Sequence, residues 1–194
     1  MRELILARHG ESEYSLKQLV NGDPGVACPL TPAGRRQARE LGALLGQVDL
    51  VVVTEFERVR ETADLALGDG DVPRLVVPEL NDPRYGEFEG GELDAYREWV
   101  WGRGPLDAPI GGEHRGEIAA RYAAGYQRLL ARPEETILLV AHSLPIRYAL
   151  DAAEGVSPRA KVDLVEYATP YSLPREQLAR AVGVLESWAA APAF

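Results

Sequence analysis

Cysteine occurs once in these 194 residues, at Cys28. No disulfide can close within the chain, which fits a reducing compartment and a cytoplasmic protein. Long apolar runs are also missing. The first, Leu4–Ala7, is far shorter than the roughly 20 residues of a membrane span, and Arg2 and Glu3 ahead of it do not fit a signal peptide. Excess positive charge is absent as well: 21 Lys and Arg stand against 30 Asp and Glu, a net charge of −9 with a pI near 4.9. That balance argues against nucleic acid or an anionic membrane as the main partner. Histidine is scarce. His9, His114 and His142 are the only three, not spaced as a ligand set and with no cysteine pair beside them, so no metal site is expected. No G-x-x-x-x-G-K-[ST] string marks a P-loop, and no cofactor is implied.

What is present is enough apolar material, 46% of the residues, for one domain over 1–194 with a substantial core. Glu3–Ala7, Asp49–Val53 and Thr136–Ala141 are continuous apolar runs that predict strands buried on both faces. Arg74–Val77 and Lys161–Tyr167 are weaker strand candidates. Thr31-Pro32 predicts a helix start, followed by Gly34, Ala38, Leu41 and Leu45 at helical spacing. Thr54-Glu55-Phe56-Glu57 has the form of a capping box ahead of Val59, Ala63 and Ala66. Further helices are expected through Ile118–Leu129, Leu144–Leu150 and, with Pro174 near its start, Leu178–Ala189. Alternation of strand and helix predicts an α/β fold: a mainly parallel sheet covered on both faces. Gly90–Glu117, rich in glycine, tryptophan and proline, predicts a lid or insertion at about 90–117 over the sheet edge. Its Tyr96, Trp99, Trp101 and Arg103 either pack on an organic group or form the lid's own small core, and its apolar residues are also candidates for a homodimer contact.

In such a sheet, ligands sit at the carboxyl ends of the strands. The first strand ends in Arg8-His9-Gly10, the second at Thr54 with Arg58 one turn into the next helix, and the third in His142-Ser143. Each of these alone reads as a boundary residue or a solvated helix face. Together they bring two histidines and two arginines to one edge of an acidic protein. Two guanidinium forks can hold a tetrahedral dianion. Helix starts at Thr54 and Ser143 would add N–H donors. A histidine among arginines is held neutral and nucleophilic. Gly10 lets the backbone bend and approach the phosphate. The chemistry is that of phosphoryl transfer to or from a small phosphorylated substrate.

With these residues assembled, the chain resembles the histidine phosphatase superfamily, the phosphoglycerate mutase-like family. The string Arg8-His9-Gly10-Glu11-Ser12 is similar to its signature. Leu30-Thr31 with Gly34 and Gln37-Ala38, Thr54–Ala63, Leu80–Gly90, Gly111-Gly112-Glu113 and Val140–Arg147 resemble further elements in the family's order. The resemblance implies a three-layer α/β/α fold with a mixed sheet. It also implies a metal-independent mechanism: His9 attacks phosphorus, Arg8, Arg58 and His142 stabilise charge with the Ser143 backbone, and Glu11 and Ser15 belong to the phosphate-binding set. A carboxyl group then serves as acid and base. Register places Asp82 in that role where the family has glutamate, with Glu79 as the alternative. Ser15, Ala27, His114 and Ser143 are departures from the family pattern. His114 either reaches the substrate or is an exposed loop residue. The family's mutases tend to be longer between the acid–base segment and the second histidine. A phosphomonoesterase is therefore expected, the alternatives being a phosphoglycerate-type phosphomutase or a non-catalytic phosphate-binding module.

Overall fold

A computed structural model describes residues 1–68 and 70–194. Five strands form one mixed sheet: β1 Glu3–Arg8, β2 Leu50–Val53, β3 Arg74–Val76, β4 Thr136–Ala141 and β5 Pro170–Pro174. Their order is β3-β2-β4-β1-β5, parallel throughout except β5, which runs antiparallel to β1 at the edge. The helices among the described residues are α1 Glu13–Leu16, α2 Pro32–Leu44, α3 Glu57–Leu67, α4 Leu93–Trp101, α5 Arg115–Leu130, α6 Ser143–Ala153 and α7 Arg175–Ala190.

The strands carry apolar residues at successive positions because both faces are covered. Leu4, Leu6, Leu50, Val52, Ile137, Leu139 and Ala141 face α5, α6 and α7 through Ile118, Tyr122, Leu129, Ile146, Leu178 and Leu185. Ala7, Val51, Val53, Leu138 and Val140 face the other way, toward Leu41 of α2 and Val59 and Ala63 of α3. The result is the expected three-layer α/β/α arrangement. Trp188 closes the first layer, buried, with its indole N–H donating to the Ala193 carbonyl at 2.9 Å.

Local sequence rules hold at α2 and fail at α3. Thr31 caps α2, its Oγ1 accepting from the Gly34 N–H at 3.0 Å. At α3 the capping residue is Phe56, without a side-chain hydrogen bond, and Thr54 is committed elsewhere. Lys161–Tyr167 forms no strand; its one sheet-like pairing is an isolated bridge between Tyr167 and Arg8. The edge strand is instead β5, whose terminal prolines suit an edge and obscure it in the sequence. Gly10 serves packing: a Cβ there would lie 2.5 Å from the Gly34 carbonyl oxygen, and one on Gly34 would lie 2.0 Å from that of Glu11. Its φ is not in the left-handed region, so the expected special backbone turn is replaced by a close approach between the β1 exit and α2.

Residues 90–117 contain α4, and their last three open α5. α4 lays Tyr96 and Val100 against Val20 and Tyr85, with Phe88, Leu93 and Trp99 around them. These aromatics do form a small core of their own, while Tyr96 and Trp101 also line the cavity described next.

Candidate active site

Parallel pairing of β1 with β4 aligns Arg8 with Ala141, so the two strands deliver His9 and His142 side by side with ring centroids 5.5 Å apart. The His9 N–H donates to the Ala141 carbonyl at 2.9 Å, extending the ladder by one residue. Both rings are buried. Nδ1 of His9 lies 2.7 Å from the Gly10 carbonyl oxygen, an acceptor only, so Nδ1 carries the proton and Nε2 presents a lone pair. Arg58 Nε, 3.2 Å away, donates to that lone pair. Burial, then Arg58 and Arg8, hold the His9 pKa well below its ordinary value.

Arg58 organises the floor of the site. It follows Glu57 at the start of α3, and its guanidinium packs over the Phe56 ring with 4.3 Å to the centroid. Nη1 donates to Asn21 Oδ1 at 2.5 Å, and Nη2 to the Asn21 carbonyl at 3.1 Å, to Asp82 Oδ2 at 3.3 Å and to His142 Nδ1 at 3.3 Å. A guanidinium can only donate, so His142 Nδ1 accepts, and its Nε2 proton goes to Thr54 Oγ1 at 3.0 Å. That bond is where Thr54 is spent in place of the expected cap. Burial, and after it Arg58, pushes the His142 pKa well down.

Arg8 leaves the end of β1, donates through Nη1 to the Val165 carbonyl at 2.8 Å and stacks on Tyr167 at 3.8 Å. Its buried Nε has no protein partner. The loop it touches is stitched on the other side as well. Ser143 Oγ accepts from the Val165 N–H at 2.9 Å, which leaves Ser143 to face the cavity from the first position of α6. Ser15 lines the cavity too, its hydroxyl paired with Ser12 Oγ at 2.8 Å.

The carboxyl alternatives separate cleanly. Asp82 lies in the cavity wall, its Oδ2 3.3 Å from Arg58 and 3.6 Å from His142 Nδ1. Burial raises its pKa from 3.8 to about 6, against the pull of Arg58, Arg8 and Arg121. Glu79 points away onto Arg128 at 2.6 Å and does not line this cavity. Slight burial pulls its pKa up, but the hydrogen bond from Arg128 leaves it below the ordinary carboxylate value. Glu11 is also outside the cavity: its carboxylate accepts from Thr31 Oγ1 at 2.7 Å and secures the start of α2. His114 caps α5 in a capping box with Glu117 and does not line this cavity.

Three residues were not singled out by the sequence reading. Asn21 grips Arg58; it lies ahead of a Gly-Asp-Pro-Gly turn and carries no pattern of its own. Arg121 donates to buried Glu113 through Nε and Nη2 at 2.9 Å each, and to the Glu79, Asn81 and Asp82 carbonyls at 2.9, 3.0 and 3.4 Å. It thereby fixes the loop that holds Asp82. Arg115, also buried, lines the cavity beside α4.

A sheet whose adjacent parallel strands end in two neutral histidines, flanked by buried arginines and a carboxyl group, is the arrangement the sequence motifs led one to expect. The chain belongs to the histidine phosphatase superfamily (branch 1), whose family model matches residues 4–173. Among its relatives it is similar to the 2,3-bisphosphoglycerate-dependent phosphoglycerate mutase of Bartonella henselae, at 32% identity over 176 residues, covering 80% of this chain and 83% of that protein. Among solved structures it is similar to the alpha-ribazole phosphatase of Shigella flexneri, with a TM-score of 0.75 and 28% identity over 88% of this chain and 89% of that one. A mycobacterial glucosyl-3-phosphoglycerate phosphatase superposes with a TM-score of 0.73 at 25% identity, covering 89% and 92% of the two chains.

Proposed function

We propose that this chain is a metal-independent phosphomonoesterase that works through a phosphohistidine at His9 and acts on a small phosphorylated metabolite. The observation that carries this reading is the fixed tautomer of His9, whose Nε2 lone pair is directed among Arg58, His142 and Asp82. A group needed only to hold phosphate would gain nothing from a buried neutral imidazole locked with its lone pair outward. The buried arginines disfavour a cation at the same point by charge.

On this reading the phosphate takes over donors of Arg8 and Arg58, including the Arg58 Nε–H that donates to His9 Nε2. The exchange frees the lone pair for in-line attack. The incoming dianion also favours a proton on His142 Nδ1, which then becomes a donor to a phosphoryl oxygen. As the Nε2–P bond forms and the ester P–O bond breaks, protonated Asp82 gives its proton to the leaving oxygen. Water then attacks phosphorus, Asp82 takes a proton from it, and the N–P bond breaks to release inorganic phosphate and neutral His9. The 90–117 segment serves as a lid on the leaving-group side, and free Cys28 suits a cytoplasmic setting.

A cavity of about 140 Å3 suits a small metabolite better than a phosphoprotein. A second reading, a phosphomutase, is favoured by the names of relatives such as the Bartonella protein, which this chain matches over 83% of its length. A requirement for a bisphosphate primer separates the two. The test is hydrolysis of p-nitrophenyl phosphate with a chelator present. His9→Ala is expected to lower it by more than about a thousandfold, and acid-labile phosphate is expected on the wild-type chain alone. Residual activity within about tenfold of wild type would refute the nucleophile assignment.

A further inference from the structure

Ser143 departs from the family pattern by bringing a side-chain hydroxyl to the start of α6. It follows His142 directly and lines the cavity together with Arg8 and His9. A hydroxyl carries one proton and two lone pairs. One lone pair of Ser143 Oγ takes the Val165 N–H at 2.9 Å, and among the described residues no group accepts its proton. The Val165 loop is itself held to Arg8. The Val165 carbonyl accepts from Arg8 Nη1 at 2.8 Å, Tyr167 stacks on the same guanidinium, and the Ala168 N–H donates to the Arg8 carbonyl at 2.9 Å. The bond from Val165 therefore ties Ser143 Oγ to the loop that holds Arg8 and leaves its O–H free for a ligand. Asp82 is the one carboxylate among the described residues lining the cavity, and it is paired with Arg58. Pro145, third in α6, has no N–H, so this helix start has one backbone donor fewer for an anion than most. An entering phosphate would supply the acceptor that the hydroxyl lacks.

We propose that the Ser143 hydroxyl donates directly to a phosphoryl oxygen, which makes Ser143 a catalytic residue beside Arg8 and not only a brace for the Val165 loop. No proton is transferred: the O–H bond stays intact, and the hydrogen bond strengthens as negative charge gathers on the phosphoryl group. This inference rests on the phosphomonoesterase reading only for where the phosphate sits.

The test titrates inorganic phosphate, by calorimetry and, for weak variants, by phosphorus NMR. Ser143→Ala is expected to raise its Kd by about ten- to a hundredfold. Ser143→Thr, which keeps the hydroxyl, is expected to stay within about threefold of wild type. The same alanine substitution is then made in Arg8→Lys protein, where the charge remains but the fork that the loop braces is gone. A direct donor gives a loss of the same size there to within about threefold, whereas a brace for Arg8 gives none. A Kd for Ser143→Ala within about threefold of wild type, a loss that threonine does not recover, or a loss that vanishes in Arg8→Lys protein would each overturn the assignment. Should Ser143→Ala fail to fold, as read by its melting transition, Ser143→Cys carries the comparison. Its thiol is a weak donor, so a Kd raised by more than about threefold supports the assignment and a smaller change overturns it. Failure of the phosphatase reading shows differently, as wild-type protein that binds phosphate through Ser143 yet does not hydrolyse p-nitrophenyl phosphate.

Discussion

Replacing Asp82 with asparagine separates the acid–base role proposed for its carboxyl from what that carboxyl does to the fold. Burial lifts its pKa from 3.8 to about 6. Between those values the folded chain keeps a proton that the unfolded chain releases, so stability falls as pH rises through this window. Below 3.8 both states are protonated and the group contributes nothing. Above about 6 the ionised carboxylate costs the folded state about 3 kcal/mol relative to its neutral form. Asparagine is neutral at every pH, nearly the same size, and can still accept from Arg58 Nη2. Urea unfolding of both proteins across the acid range should therefore give a difference near zero below 3.8 that grows to about 3 kcal/mol in favour of Asp82→Asn at about pH 7. Other carboxylates titrate identically in the two proteins and cancel. On an alkyl phosphate, whose leaving oxygen needs a proton, kcat/KM should fall by about 10²–10⁴, and far less on p-nitrophenyl phosphate. A stability difference that stays flat across the range, or a variant less stable than wild type at neutral pH, would refute the burial argument. An equal loss on both substrates would move the acid role off Asp82.

Other perturbations probe the supports of the site. Glu113→Gln leaves Arg121 without its anion and should cost about 1.5–3 kcal/mol in thermal or urea unfolding. It should also lower kcat more than it raises KM, because the Asp82 loop loses its anchor. Asn21→Ala frees Arg58 Nη1 and should weaken inhibition by inorganic phosphate by about tenfold, read from the competitive constant. Gly34→Ala drives a methyl group to within 2.0 Å of the Glu11 carbonyl; a loss of about 1–3 kcal/mol is expected in urea unfolding, with Gly34→Ser at least as damaging.

How far the molecule could be read from its sequence depended on whether a residue's role was set by its own neighbourhood in the chain. β1, β2 and β4 were legible because burial on both faces writes an unbroken apolar run. Arg8, His9, Arg58 and His142 were legible because each stands at or just past a strand end, where a parallel sheet collects its ligand. Thr54 misled for the opposite reason: a Thr-x-x-Glu pattern is a local signal, and here a tertiary partner, His142 Nε2, outbids the helix for the hydroxyl. Lys161–Tyr167 has apolar residues enough for a strand, but its Val165 carbonyl and N–H are taken by Arg8 and Ser143 rather than by a ladder. Asn21, Arg115 and Arg121 act on chain segments remote in sequence, and nothing in their own surroundings announces that.

The order of the sheet has a kinetic consequence. β1 and β2 are consecutive in sequence, yet they are not neighbours; β4 lies between them. Residue 3 must find residue 136 before the first strand gains a parallel partner, and the second strand then docks on the far side of the same intruder. Closing so long a loop precedes any reward from the contacts it brings together, which makes this a slow, late event in folding. Until it happens, the chain carries the Arg8-His9 pair, Arg58 and His142 on three separate segments. The reactive centre therefore cannot exist in a partly made or partly folded chain. A nascent polypeptide stays chemically silent until β4 and His142 have emerged, and recovery of activity on refolding should report the β1–β4 closure itself.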